Sequence, residues 1–344
     1  MFTEELITKA AQGDVSALVE LDRRGLLLGA TESCEQYAER LRRLQANIAE
    51  MDAELTEHGH FRVEGMKVDA AARIQPHVFD TARATTERLF GFAIDWVPGF
   101  FVNPSQSWLF GACAFYFYPD FFALFVVRKS FADREKWLIY SRRELLAHEL
   151  CHIARIGFGS RIFEENFAYQ TSTSGFRRVV GSVSRSPRDS QLLLGSVFLL
   201  LAASTLQVVW LPSFWVWPFW LTLLGVLGFF AKRLLGCRRL FNRALGNLSI
   251  LTAEHALAML FRCSDHEVEE LAGLRTAQQV GEWVANRVDT SVRWRVTATR
   301  FVAPSSVSTM PSTGSQGTIP PAGPAVPPAV VGSEIGTVPP PSCP

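Results

Sequence analysis

Between Asp189 and Lys232 the chain carries no charged residue. An uncharged run of this length is about twice what one bilayer crossing needs. It divides at Leu211-Pro212-Ser213 into 192–211 and 214–235. The two halves read as a transmembrane helical hairpin. Trp210, Trp215, Trp217 and Trp220 crowd its turn, as in an aromatic belt at one membrane interface. Arg177, Arg178, Arg185 and Arg188 precede the first span, and Lys232, Arg233, Arg238, Arg239 and Arg243 follow the second. Basic flanks and a bare turn place both flanks, and with them both termini, in the cytoplasm. The competing reading is a helical hairpin buried in a large soluble core.

The remainder of the 344 residues is long enough for two domains or one elaborate one. A formal net charge of +1 and the lack of a basic tract interleaved with aromatics argue against a nucleic-acid partner. Six cysteines, Cys34, Cys113, Cys151, Cys237, Cys263 and Cys343, are scattered without a CxxC pair. That pattern suits free thiols in a reducing compartment. The polar, acidic start MFTEELITKAAQGD has the character of neither a signal nor a transit peptide.

Five regions are expected: an N-terminal helical region at 1–60, a catalytic-type domain at 61–188, the hairpin at 189–235, a C-terminal cytoplasmic helical region at 236–302, and a Pro/Ser/Thr-rich tail at 303–344 that cannot build a core and should be disordered. The first region should hold two short helices before Gly25, then a heptad-like stripe of Cys34, Tyr37, Leu41, Leu44, Ile48, Met51 and Leu55. The stripe suits either a dimerisation or partner helix or a helical hairpin closed within the chain. Residues 80–92 suggest a further helix. The aromatic-rich stretch 108–127 is broken by Pro119-Asp120 and reads as two strands, not a third span. A long helix is expected over 132–156, which no Pro or Gly interrupts, followed after Gly157 and Gly159 by a second helix at about 161–172. Beyond the hairpin, 245–262 and 267–287 look helical and amphipathic.

The expected helix at 132–156 carries His148-Glu149-Leu150-Cys151-His152, an HExxH string. Residues four apart share one helical face, so both imidazoles can reach a single metal ion, and the glutamate between them can act on a water there. A third ligand should follow. Glu165, which opens a Glu-x-x-Ala pattern with Ala168, is the preferred candidate. A small residue one turn later lets its helix pack closely on the first. Glu164 points about 100° away and would more naturally orient a histidine from behind. Glu254, beyond the hairpin, is the remaining alternative. Tyr169 and His255 are candidates to stabilise an oxyanion, although a lone Tyr or His is usually an ordinary packed residue. Cys151 reads as small apolar filler. Arg155 is positioned to pair with Glu164 or a substrate carboxylate, if it is not simply a surface residue.

With His148, Glu149, His152 and Glu165 in this setting, 108–172 resembles the gluzincin class of zinc metallopeptidases. With its membrane helices, the chain looks most like the membrane-embedded proteases of the CAAX-protease and heat-shock-protease type. The resemblance implies an α+β, zincin-like domain, a short antiparallel sheet beside the HExxH helix. It also implies Zn2+ held by two His and one Glu, an open fourth position for water, and peptide-bond hydrolysis. In those proteases the ligand glutamate usually lies beyond a membrane segment, in an ExxxD pattern. Here Glu165 precedes the hairpin and Tyr169 stands at the aspartate position. Glu254 would restore the order, but EHALA also lacks the aspartate.

The expectation is therefore a membrane-anchored zinc metalloendopeptidase with its site on the cytoplasmic side. Its partners would be a protein or peptide substrate, the lipid bilayer and possible further copies in a homo-oligomer. The alternative is a non-catalytic membrane scaffold that recruits partners through the heptad-like helix and the Pro-rich tail.

Overall fold

The computed structural model describes residues 2–63, 66–103, 112–117, 122–137, 140–183 and 186–302. Its N-terminal helices are α1 (Glu4–Ala11), α2 (Val15–Arg23) and α3 (Cys34–His58). Each begins where a side chain accepts a hydrogen bond from an early backbone N–H: Thr3, Asp14 and Ser33, the last in a reciprocal capping box with Gln36. The heptad-like stripe lies on α3. Tyr37, Leu41, Leu44, Ile48, Met51 and Leu55 are buried there, where α3 packs on α1, β1 (His60–Val63) and β5 (Phe122–Arg128). The seam is thus closed within the chain.

β1 pairs antiparallel with β2 (Met66–Asp69), and α4 (Asp80–Phe90) follows. The principal sheet contains β3 (Gly99–Val102), β4 (Ala112–Phe117) and β5, in the order β3-β5-β4. β4 is antiparallel to β5, as expected for the two strands, but β3 is parallel to it. The sheet is therefore mixed, not antiparallel. β5, the second of the two expected strands, is the central strand of this sheet. Ala123–Val127 is buried at every position, the continuous apolar run of a strand covered on both faces. The strand packed on the HExxH helix is β4, which among the described residues is paired on one side only. The start of the expected first strand, 108–111, lies outside the described residues.

Ahead of the motif, the helix expected over 132–156 begins only at Arg142. The segment expected to begin the long helix instead forms a small hairpin, β6 (Lys136–Trp137) and β7 (Tyr140–Ser141), and α5 (Arg142–Arg155) starts only after it. The reason is local and polar. The Glu135 carboxylate accepts from the Ser141 hydroxyl at 3.0 Å and from the Arg143 N–H at 3.2 Å, so it caps the helix there.

After α5 come α6 (Glu164–Ala168) and α7 (Gly175–Val180), then the apolar hairpin of α8 (Pro187–Val209) and α9 (Trp217–Ser249). Both hairpin helices are long and apolar enough to cross a membrane. Only 17% and 6% of their most apolar windows are buried within the chain, so the hairpin is not the core of a soluble fold. α9 does not stop at the basic flank. It runs on through Arg243, and its second half buries Cys237, Phe241, Ala244 and Leu248. The helix expected at 245–262 is therefore divided between the end of α9 and α10 (Ala256–Leu260). The one expected at 267–287 is divided between α11 (Asp265–Gly273) and α12 (Ala277–Thr290), and α13 (Val292–Phe301) closes the described chain. Apolar residues from 1–60, 61–188 and 236–302 join one continuous core. The tail expected to be disordered, 303–344, lies outside the described residues.

Candidate metal centre

α5 buries Leu146, Leu150, Ile153 and Ala154 on its inner side, which leaves His148, Glu149 and His152 half-buried along one flank. The chain then turns at Gly159, whose φ of 56° is left-handed and therefore favours glycine. That turn brings α6 back across the histidines. His148 Nε2 and His152 Nε2 stand 3.1 Å apart. The Glu165 carboxylate reaches both, with Oε2 3.5 Å from His148 Nε2 and Oε1 3.6 Å from His152 Nε2. Among the described residues, this trio is the one group of three or more His, Cys, Asp or Glu side chains close enough to share an ion. Glu254 is exposed and outside it.

Glu164 takes the position behind His152. Its Oε1 is 3.1 Å from His152 Nδ1, and its Oε2 accepts from Arg155 Nε at 2.8 Å. Fixing Nδ1 turns Nε2 toward the other donors. Arg155 is not a surface residue. It is 2% exposed, lies among the rings of Phe158, Phe167 and Phe261, and donates to the carbonyls of Phe261 and Cys263. Cys151 is fully buried, with its thiol donating to the Ala147 carbonyl at 3.2 Å, which fits the filler role.

The charge pattern describes a site with an excess of carboxylate. Burial opposes a charge on His152, but its bond to Glu164 and the nearby Glu165, Glu164 and Glu149 outweigh burial and push it up to about 10. Burial and the neighbouring His152 hold His148 well below its ordinary value. Burial also raises Glu165. Burial disfavours the Glu164 charge too, yet Arg155 and His152 more than compensate and leave it lowered. The carboxylates thus act on His152, while His148 is held neutral and its nitrogen is open to a metal ion.

Two contributions had no clear signal in the sequence. Asp265, at the start of α11, accepts from the Ser160 hydroxyl at 2.5 Å and from the N–H groups of Arg161 and Ile162, both at 2.8 Å. It thereby ties down the loop between the two ligand-bearing helices. Cys237 of α9 accepts from Asn166, next to Glu165, at 2.7 Å. The one available hint was the Ser264-x-x-Glu267 capping box, which marks a helix start at that point. Tyr169, by contrast, was a candidate from the sequence. Its ring stands edge-on to His148 at 4.7 Å between centroids. A Cβ at Gly181 would lie 2.4 Å from that ring, so glycine there lets it pack close. Burial, then Glu165, raises the Tyr169 phenol to about 12, so it stays a hydrogen-bond donor. His255, the other oxyanion candidate, packs instead on Phe301 at 5.6 Å.

Comparison with protein-family models finds no match, and comparisons with curated proteins and with solved structures find none either.

Proposed function

We propose that the protein is a membrane-anchored zinc metalloendopeptidase. The observation that carries this reading is the convergence of His148 Nε2, His152 Nε2 and the Glu165 carboxylate at 3.1, 3.5 and 3.6 Å from one another. Ligand atoms about 2.0–2.1 Å from a tetrahedral zinc would stand about 3.3 Å apart, and the trio, taken with one atom from each residue, lies within 4.8 Å, close enough to close on one ion. A zinc ion held there would supply Lewis-acid activation of a water and a peptide carbonyl. Glu149, on the same helix, is the general base that takes a proton from the water and returns it to the leaving amine. Tyr169 donates to the developing oxyanion from beside His148. Glu164 and Arg155 keep His152 in the tautomer that leaves Nε2 free to ligate.

The zincin-like reading is further supported by β4, which runs along α5 with one side unpaired among the described residues and offers an edge on which an extended peptide can add. The exposed apolar hairpin is read as the bilayer anchor. Its basic flanks favour a cytoplasmic site and cytoplasmic termini. The scaffold alternative loses its main surface, because the α3 seam is already buried in the chain's own core.

The test is metal analysis and peptidase assay of the detergent-solubilised full chain beside Glu149→Gln and Glu165→Ala. Glu149→Gln should keep zinc and lose about 10²–10⁴ in rate. Glu165→Ala should lose zinc. A full chain that binds no stoichiometric metal would sink the proposal.

A further inference from the structure

The hairpin joins the body at a rim whose charge is one-sided. Between Asn166 and Ala253 the sequence carries nine Lys and Arg residues and a single acidic one, Asp189, in a chain whose net charge is only +1. Asp189 is taken up by Arg233, at 3.0 and 2.6 Å. Arg177 pairs with Glu144 of α5 at 3.0 Å. Arg178, Arg188, Lys232, Arg239 and Arg243 are exposed and form no ion pair among the described residues. On α9, Lys232, Arg239 and Arg243 fall seven and four residues apart. They make one stripe, about 200° round the helix from the buried Phe230, Cys237 and Phe241.

The rim also borders apolar surface. Among the described residues, the large apolar side chains left exposed all lie between Phe176 and Ile250. On α7, Phe176 is 73% exposed, with Val179 exposed one turn later and Arg178 between them. Exposed cations beside exposed apolar side chains, at the foot of two helices long enough to cross a bilayer, match the layered chemistry of a lipid headgroup region.

We propose that this rim is a docking surface for the anionic headgroups of phospholipids in the leaflet next to the body. The proposal rests on the bilayer reading of the hairpin and is independent of the peptidase reading. The geometry suits a surface better than a single soluble anion, because the α9 stripe extends over about 16 Å instead of converging on one point. Arg239 stands about 9 Å along α9 from Arg233. The headgroup zone extends about 5–7 Å beyond the hydrocarbon, and a long basic side chain spans the difference. Arg243 remains within about one Debye length of that zone.

The test reconstitutes the full chain in phosphatidylcholine vesicles with trace spin-labelled phosphatidylglycerol or spin-labelled phosphatidylcholine, and reads motionally restricted lipid by electron spin resonance. One cation near an anionic surface is worth about a fivefold gain in partition, so a severalfold preference for the anionic label is expected. It should shrink as sodium chloride is raised. It should disappear when Arg178, Arg188, Lys232, Arg239 and Arg243 are all changed to Gln. If that variant does not fold, the pairs Arg178→Gln/Arg188→Gln and Arg239→Gln/Arg243→Gln should each lose part of the preference. Equal restriction of the two labels, or a preference unchanged in every variant, overturns the proposal. So does inorganic phosphate that removes the preference where chloride of equal ionic strength does not, since the rim would then be a soluble-anion site. If neither label is restricted, the bilayer reading fails and takes the rim with it, while metal binding and peptidase activity remain separately measurable.

Discussion

The two halves of α9 are one helix in two environments. From Trp217 to Phe229 most of its large side chains are exposed, among them Trp217, Trp220, Leu221, Leu224, Leu227 and Phe229, and burial begins at Phe230. From Lys232 to Ser249 it is amphipathic, with Cys237, Phe241, Ala244 and Leu248 turned into the core and cations on the opposite side. The same contrast separates the apolar hairpin from the rest of the chain. The body hides its apolar residues because water surrounds it. On the bilayer reading, a hairpin that displays them meets a surrounding that is itself apolar. The rim at Arg233 and Asp189 is where one rule gives way to the other.

Matched truncations on the two sides sharpen this contrast. Phe167 is fully buried against Phe241 and Phe261. Phe167→Ala should cost about 3–5 kcal/mol in denaturant unfolding of the detergent-solubilised protein. A loss below about 1 kcal/mol would mean that the body lacks a tight core around Phe167.

Next in size is the buried ion pair of the C-terminal helices. Glu267 meets Arg293 at 2.6 Å and Trp294 at 2.7 Å. Burial works against its charge, but Arg293 and the hydrogen bonds from Ser264 and Trp294 win, and its carboxyl is held below the ordinary 4.5. A depressed carboxylate contributes stability above its unfolded value, and that stability is lost as pH falls through the folded one. Thermal stability should therefore decline as pH drops below about 4.5. Glu267→Gln should cost about 3 kcal/mol at neutral pH and flatten the acid limb. An unchanged acid limb would assign that loss to other carboxylates.

Charge should reverse the sensitivity of the two regions. Leu201 is 60% exposed on α8. On the bilayer reading, Leu201→Arg should disfavour membrane integration by about 2.5–3.5 kcal/mol, read as the membrane-extracted fraction of the expressed protein. Full integration of that variant would break the comparison between hairpin and body. On the zinc and bilayer readings, Asp265→Ala should weaken zinc binding about 10–100-fold by loosening the loop ahead of Glu165, while leaving membrane integration unchanged. Competition with a zinc chelator measures it. The smallest effect belongs to Phe198, which is 71% exposed on the hairpin. Phe198→Ala should change unfolding in detergent by less than about 0.5 kcal/mol. A loss comparable with Phe167→Ala would show that Phe198 is buried against something not seen in the isolated chain.

Much of the architecture could be read from local pattern. The side-chain caps at Thr3, Asp14 and Ser33 mark helix starts, and the heptad-like stripe maps onto the buried face of α3. The start of α5 was harder. 132–156 has no helix breaker, yet Trp137 and Tyr140 pair across a small hairpin and Glu135 caps the helix after it. Propensity is a weak prior when a side-chain cap and a strand pairing both oppose it. The continuity of α9 was hidden for a different reason. Its basic stretch looks like the end of a span, but those cations occupy one side of a helix whose other side is still burying residues.

The sequence by itself determined the apolar hairpin and the His148-Glu149-His152 face, because both depend on charge and spacing within a few turns of one helix. The tertiary structure decided which glutamate stands beside which nitrogen. Glu164 and Glu165 are neighbours of the same type, and only the turn at Gly159 and the packing of α6 on α9 set one behind His152 and the other between the two histidines. Tertiary structure also decided that Arg155 is buried and that Asp265 holds a loop 105 residues away in sequence. Contacts made across such a separation form only when the whole core closes, so no local pattern records them.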